Sequence, residues 1–161
     1  MSAPQVALEL DWAALHASVG TLAGRIRSDG TPDVVVGVLR GGAIPAVMLA
    51  HQLGVRSVRT VEITRTTSDL PHTAKIPPAV RDAAALGPLA GLDVLLVDDV
   101  VGSGATADMA EQIVRARGPA RVRLAVAVIN VDNWNRPDDP LHHFDYVGTT
   151  CAGWVRFPWE L

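Results

Sequence analysis

The stretch Val94-Leu95-Leu96-Val97-Asp98-Asp99-Val100-Val101-Gly102-Ser103-Gly104-Ala105-Thr106 decides how this chain is read. Four apolar residues run into two adjacent carboxylates, and a short Gly/Ser/Thr loop follows before a helical pattern begins. A continuous apolar run marks a strand buried on both faces, as in a parallel sheet. In such sheets ligands bind at the carboxyl ends of the strands. This strand is expected to lead into Asp98 and Asp99 and to deliver both to that edge. The loop then offers backbone N–H groups to an anion at a helix N-terminus. Carboxylates accept hydrogen bonds from hydroxyls and can also hold a divalent metal. The combination reads as a sugar-phosphate site. The loop lacks the Gly-Lys-Ser/Thr ending of a Walker A motif and does not match a GxGxxG fingerprint.

Upstream, Val34-Val35-Val36-Gly37-Val38-Leu39 is a second buried strand. Arg40-Gly41-Gly42 makes a tight turn into a helix over residues 43–53, with Pro45 in its first turn and Gly54 as its stop. Asp11 caps an earlier helix, in which Trp12, Leu15, Val19, Leu22 and Ile26 recur at helical spacing as a core stripe. Residues 57–63 read as a strand. Residues 64–78 contain Thr66, Thr67, Ser68, Pro71, Pro77 and Pro78 without a clear period, and form a long surface loop of the kind that serves as a lid. A short helix is expected over residues 79–86, a strand over 92–97, a helix over 105–117 and a strand over 121–129. Beyond Asn130 the pattern is irregular, with short strands expected at 144–147 and 154–157. Strands alternating with helices imply the α/β class, with a central mostly parallel sheet of about five strands flanked by helices and a small C-terminal hood. A single domain over residues 1–161 is expected, with the lid at about 64–78 and the hood at about 131–161.

Composition narrows the function classes. Hydrophobic residues at 48% and charged residues at 19% fit a folded globular protein rather than a disordered one. A net charge of −3 argues against a general nucleic-acid binder. The single cysteine, Cys151, allows no intrachain disulfide and points to a reducing, cytoplasmic setting. No apolar run approaches the ~18 residues of a membrane span, so no membrane association is expected. The first residues lack the basic start and apolar core of a signal peptide.

Residues 94–106 resemble the phosphoribosyl-pyrophosphate motif of the type I phosphoribosyltransferase family: an apolar strand, two acids, three variable residues, then Thr/Ser-Gly-X-Thr. Gly37-Val38-Leu39-Arg40-Gly41-Gly42-Ala43-Ile44-Pro45 resembles the pyrophosphate loop of the same family, in the same order and spacing. Trp154-Val155-Arg156-Phe157-Pro158-Trp159-Glu160 is similar to the base-binding end of its short bacterial xanthine–guanine and hypoxanthine members. The resemblance implies transfer of a phosphoribosyl group from phosphoribosyl pyrophosphate to a nucleobase or related heterocycle, with Mg2+. Asp98 and Asp99 would be the catalytic acids, binding the ribose hydroxyls directly or through magnesium. Gly102, Ser103, Gly104, Ala105 and Thr106 would hold the 5-phosphate. Leu39, Arg40, Gly41 and Gly42 would bind pyrophosphate, with the Leu39–Arg40 peptide cis. Trp154 would stack on the base while the Val155 backbone reads its edge, and Glu160 would help hold a second magnesium. The resemblance also implies a homo-oligomer, a dimer or a tetramer.

Two departures bear on the acceptor. In enzymes of 6-oxopurines the third residue after the acidic pair is usually an Asp near purine N7, and here it is Gly102. Those enzymes also place a lysine near the end of the strand equivalent to residues 121–129; here Asn130, Val131, Asp132 and Asn133 follow, and no lysine lies beyond Lys75. Asn130 or Asp132 is left to meet an amino group on the base. A purine or purine-like acceptor is favoured. A non-standard heterocycle of specialised metabolism and a phosphoribosyl-ligand-sensing regulator are the alternatives. Arg65 and Lys75 either touch pyrophosphate from the lid or are solvated. Trp134 either flanks the base or packs, and Trp159 packs. His51, His72, His142 and His143 show no metal-ligand spacing.

Overall fold

The computed structural model describes residues 5–65 and 74–160. In chain order its elements are β1 (Val6–Glu9), α1 (Trp12–Ser28), β2 (Val34–Leu39), α2 (Ala43–Leu53), β3 (Val58–Thr64), β4 (Ala79–Asp82), β5 (Asp93–Val101), α3 (Ala105–Arg115), β6 (Arg121–Asn130), α4 (Pro140–His143), β7 (Tyr146–Cys151) and β8 (Trp154–Arg156). Six strands form the main sheet in the order β4-β3-β2-β5-β6-β7. All neighbours in it are parallel except β3 and β4. This is the expected α/β architecture, with five parallel strands and one antiparallel edge.

The apolar runs explain the layering. In β2, Val34, Val36 and Val38 pack on the α3 side, and Val35 packs on the α1 and α2 side. In β5, Val94 and Leu96 share the first face, and Leu95 and Val97 the second. Both faces are therefore dry, which is why these strands read as unbroken apolar runs rather than alternating ones. Asp11 caps α1, its Oδ1 accepting the Ala14 N–H at 2.7 Å. Gly54 closes α2 in the left-handed conformation at φ 72°.

Several expectations are corrected. Trp12 is not core: it is 54% exposed, at the first turn of α1, while Leu15, Val19, Leu22 and Ile26 are buried. Residues 79–82 are a strand, not the start of a helix, because Ile63↔Val80 and Thr64↔Ala79 pair them antiparallel to β3. Only a 3-10 turn at Ala84–Leu86 remains of the expected helix. β5 does not stop before the acids; it runs on to Val101, held by Val100↔Val128 and Val101↔Ile129. The strand expected at 144–147 begins at Tyr146 and reaches Cys151, preceded by α4, whose cap Asp139 accepts from the Leu141 N–H at 2.9 Å. β1 had no counterpart in the sequence reading. It pairs in parallel with β8, Val6↔Trp154 and Leu8↔Val155, forming a second small sheet. Of the expected lid, residues 66–73, including His72, lie outside the described residues. Among the described residues no helix is long and apolar enough to cross a membrane.

Candidate active site

β2 and β5 lie side by side, but β2 leads on to β3 and β5 to β6, on opposite sides. This divergence opens a crevice at their carboxyl ends, where ligands of open α/β sheets bind. Both loops singled out in the sequence rise there. The Leu39–Arg40 peptide is cis. Gly41 packs on the Asp99 carboxylate, so a β-carbon at residue 41 would overlap it. A β-carbon on Gly42 would stand 2.6 Å from Val38 O, 2.7 Å from Val97 O and 2.9 Å from Asp98 Oδ1. Space, rather than backbone flexibility, dictates glycine at both positions.

The two acids sit side by side within β5 and are tied to it by local hydrogen bonds. Asp98 Oδ1 accepts the Asp99 N–H at 2.9 Å, and Asp99 Oδ1 accepts the Val100 N–H at 2.7 Å. Burial, reinforced by the adjacent Asp99 carboxylate, holds Asp98 well above the usual carboxylate range. Burial also raises Asp99; the Val100 N–H opposes this, and the Glu160 carboxylate adds repulsion. Glu160 is thus near enough to Asp99 to be felt. It sits on the turn after β8, where its Oε2 accepts the Phe157 N–H at 2.9 Å.

Beyond the acids, Gly104 turns the chain at φ 81° into α3, and its carbonyl accepts the Asp108 N–H at 2.9 Å. A cavity of about 120 Å³ opens against this loop, lined by Asp98, Gly102, Ser103, Gly104 and Thr106 together with Arg65 and Lys75. Ala105 opens the helix itself. On the far side, Arg136 straps the loop to the segment after β6. Its Nε donates to Ser103 O at 2.9 Å, its Nη2 donates to Asp108 Oδ2 at 2.7 Å, and its guanidinium lies 4.9 Å from the Trp134 ring centre. His143 Nε2 lies 3.1 Å from the other Asp108 oxygen. Trp134 therefore packs here, its Nε1 donating to Asp138 O at 2.7 Å.

Trp154 and Val155 reach the same edge through Asn130. The Asn130 amide donates to Gly153 O at 2.7 Å and accepts the Gly153 N–H at 3.3 Å, pinning the turn before β8 to the end of β6. Asn130 thus serves the fold through both ends of its amide. Trp154 is half-buried, and the Val155 side chain is buried in the core. Phe157 stacks on Trp159 at 4.6 Å, and Trp12 covers Trp159 at 6.1 Å. Sequence reasoning missed Arg136 and Asp108. An acid in the first turn of α3, three residues after Ala105, was the available signal.

The chain belongs to the phosphoribosyl transferase domain family, whose model matches residues 10–161. A xanthine-guanine phosphoribosyltransferase from Roseobacter denitrificans is 29% identical over 162 residues, covering 94% of this chain and 84% of its own length. The crystal structure of a purine phosphoribosyltransferase from Pyrococcus horikoshii superposes with a TM-score of 0.77 at 27% identity, covering 96% of this chain and 94% of that one. A hypothetical protein from Neisseria gonorrhoeae, solved with bound ppGpp, shares the fold at a TM-score of 0.79 and 22% identity, over 98% of this chain and 92% of that one.

Proposed function

We propose that this phosphoribosyltransferase moves the 5-phosphoribosyl group of phosphoribosyl pyrophosphate to a nitrogen of a purine or purine-like base. The C1–O bond to pyrophosphate breaks, a C1–N bond forms, and the base loses a proton. One observation carries the reading: Gly41 and Gly42 of the loop after β2 pack on the acids at the end of β5, next to a phosphate-sized loop. A leaving group, a ribose and a 5-phosphate thus have adjoining places. In this reading Leu39, Arg40, Gly41 and Gly42 bind pyrophosphate, Asp98 and Asp99 hold the ribose hydroxyls, and Gly102, Ser103, Gly104, Ala105 and Thr106 hold the 5-phosphate. Trp154 and the Val155 backbone take the base.

Magnesium fits this donor set. Asp98 and Asp99 are crowded, buried acids whose carboxyls are raised, and a divalent cation relieves both effects. Among the described residues no three acidic, His or Cys side chains converge on one ion. Asp98, Asp99 or Glu160 would therefore supply one or two oxygens and the donor's own oxygens the rest, as magnesium prefers. The bound ion would neutralise charge developing on the leaving pyrophosphate. The 64–78 segment would exclude water from the reacting carbon, and the 131–161 segment would form the hood over the base. The protein is read as cytoplasmic and as a homodimer or homotetramer, without nucleic-acid or membrane partners.

A second reading keeps the chemistry and changes the acceptor to a non-standard heterocycle. Gly102 favours it: a β-carbon there would stand 3.0 Å from Asn133 Cβ, so Asn133 fills the space of the missing acid. Pyrophosphate release should be measured with a panel of bases. Turnover with guanine, xanthine or hypoxanthine supports the first reading, and turnover with other heterocycles alone supports the second. Silence with every base would leave a ligand-sensing role.

A further inference from the structure

We propose that Arg65 and Lys75 form a two-cation wall for the ribose 5-phosphate, so that this phosphomonoester is bound by side-chain charge as well as by the loop after β5. The proposal rests on the phosphoribosyl-transfer reading above. Arg65 directly follows β3, and its Nη1 donates to Ser103 Oγ at 2.8 Å. Its carbonyl accepts the Ile76 N–H at 2.7 Å, and its Nε lies 3.3 Å from Ile76 O. That pairing sets Lys75 beside Arg65. Lys75 Nζ would lie 3.5 Å from a β-carbon on Gly102.

The two cations therefore enter the loop cavity from one side, facing Gly102, Ser103, Gly104 and Thr106 from the other. Holding like charges together is unfavourable, and the burial of Lys75 and the neighbouring Arg65 both push its ammonium toward the neutral form. Among the described residues neither cation has a carboxylate ion-pair partner. Among the described residues, Asp98 is the one acid lining the cavity, against these two cations. A phosphomonoester, with about −1.5 to −2 charges at neutral pH, resolves this imbalance. Arg65 presents a planar fork to its oxygens and Lys75 a point charge. None of residues 39–42 lines this cavity, which separates the pair from the pyrophosphate loop. The sequence left Arg65 and Lys75 between pyrophosphate and solvent; their position favours a third partner.

Isothermal titration of the full chain tests this, using ribose 5-phosphate and inorganic pyrophosphate separately, without turnover. Arg65→Gln and Lys75→Gln should each weaken ribose 5-phosphate by about tenfold and pyrophosphate by less than about twofold. Arg81→Gln, which removes a cation of β4 that pairs with Thr64 instead, should leave both unchanged. Unchanged ribose 5-phosphate affinity in both lid variants would overturn the assignment. So would a pyrophosphate loss equal to or larger than the ribose 5-phosphate loss, or a wild-type chain with no affinity for ribose 5-phosphate. Because no base is present, an enzyme silent with every acceptor would defeat the functional reading without altering these titrations.

Discussion

Gly41 packs directly on the carboxylate of Asp99, with no space between them for a β-carbon. The loop after β2 and the acid at the end of β5 are thus fitted to each other, although 58 positions separate them in the numbering. Gly41→Ala must displace one or the other. The expected result is a folded protein whose kcat/KM for the donor falls by about 100-fold, the scale of a displacement of about 1 Å near reacting atoms. Steady-state kinetics beside a thermal melt checks it. Unimpaired turnover would mean that the loop yields freely.

Asp98 carries a pH signature. Its folded pKa is raised by burial and by Asp99. The stability it contributes is fully present below the ordinary carboxylate pKa of about 3.9 and is lost as pH rises through the raised value. Above that raised value the ionised acid weighs against the fold. Asp98→Asn should raise the Tm at pH 7.5, by about 2–4 °C for each kcal/mol relieved, and change nothing near pH 3.5. The same variant should lose most turnover, a trade of activity for stability. For the wild type, affinity for the magnesium-bound donor should rise with pH across the range in which the pair ionises. A pH series of donor KM measures it, and a flat profile counts against the role given to the acids.

Arg136 ties the loop after β5 to the segment after β6. Removing it leaves Ser103 O and Asp108 Oδ2 without this donor, with His143 still beside Asp108 Oδ1. Arg136→Ala should cost about 1–2 kcal/mol of stability and raise the donor KM more than it lowers kcat. Arg136→Lys should restore the charge without the fork and recover only part of the KM. Equal effects of both variants on kcat alone would refute a positioning role.

At the opposite end of the strands, Arg123 is 1% exposed. It donates to both Asp93 oxygens at 3.2 and 2.9 Å, to Gly30 O at 2.8 Å and to Tyr146 Oη at 3.1 Å, while Tyr146 donates to Asp29 at 2.8 Å. Arg123→Met strands these acceptors. A loss of about 3 kcal/mol is expected, or about 6–12 °C in Tm. The kcat at 20 °C should stay within twofold of wild type, because the network lies at the amino ends of β5, β6 and β7, away from the crevice. Differential scanning calorimetry and an initial-rate assay separate the two effects.

What could be read from the sequence was local. Residues 94–106 and 34–42 announce themselves because a doubly buried strand is a continuous apolar run and a tight loop requires glycine at fixed places. The fit of Gly41 to Asp99 could only be implied by resemblance, since no local rule brings the two together. Trp12 was misjudged because helical spacing assigns a stripe but not its ends, and the first turn of α1 reaches past the sheet to Trp159. Residues 79–82 looked helical because their strand character comes from β3, not from their own composition. Arg123 gives no signal, as its partners lie on three other segments. The role of Asn130 is equally non-local, since both ends of its amide engage Gly153, 23 positions away.

The pairing of β1 with β8 has a temporal meaning. Val6 and Leu8 leave the ribosome early, whereas Trp154 and Val155 come late. The strand order lets the main sheet grow from β2 outward while β1 waits, its apolar side chains without their partner. The wall that carries Trp154 and Glu160 thus closes only after every strand of the main sheet has been made. A nascent chain can therefore hold the loop between β5 and α3 in place before β1 has a strand to pair with.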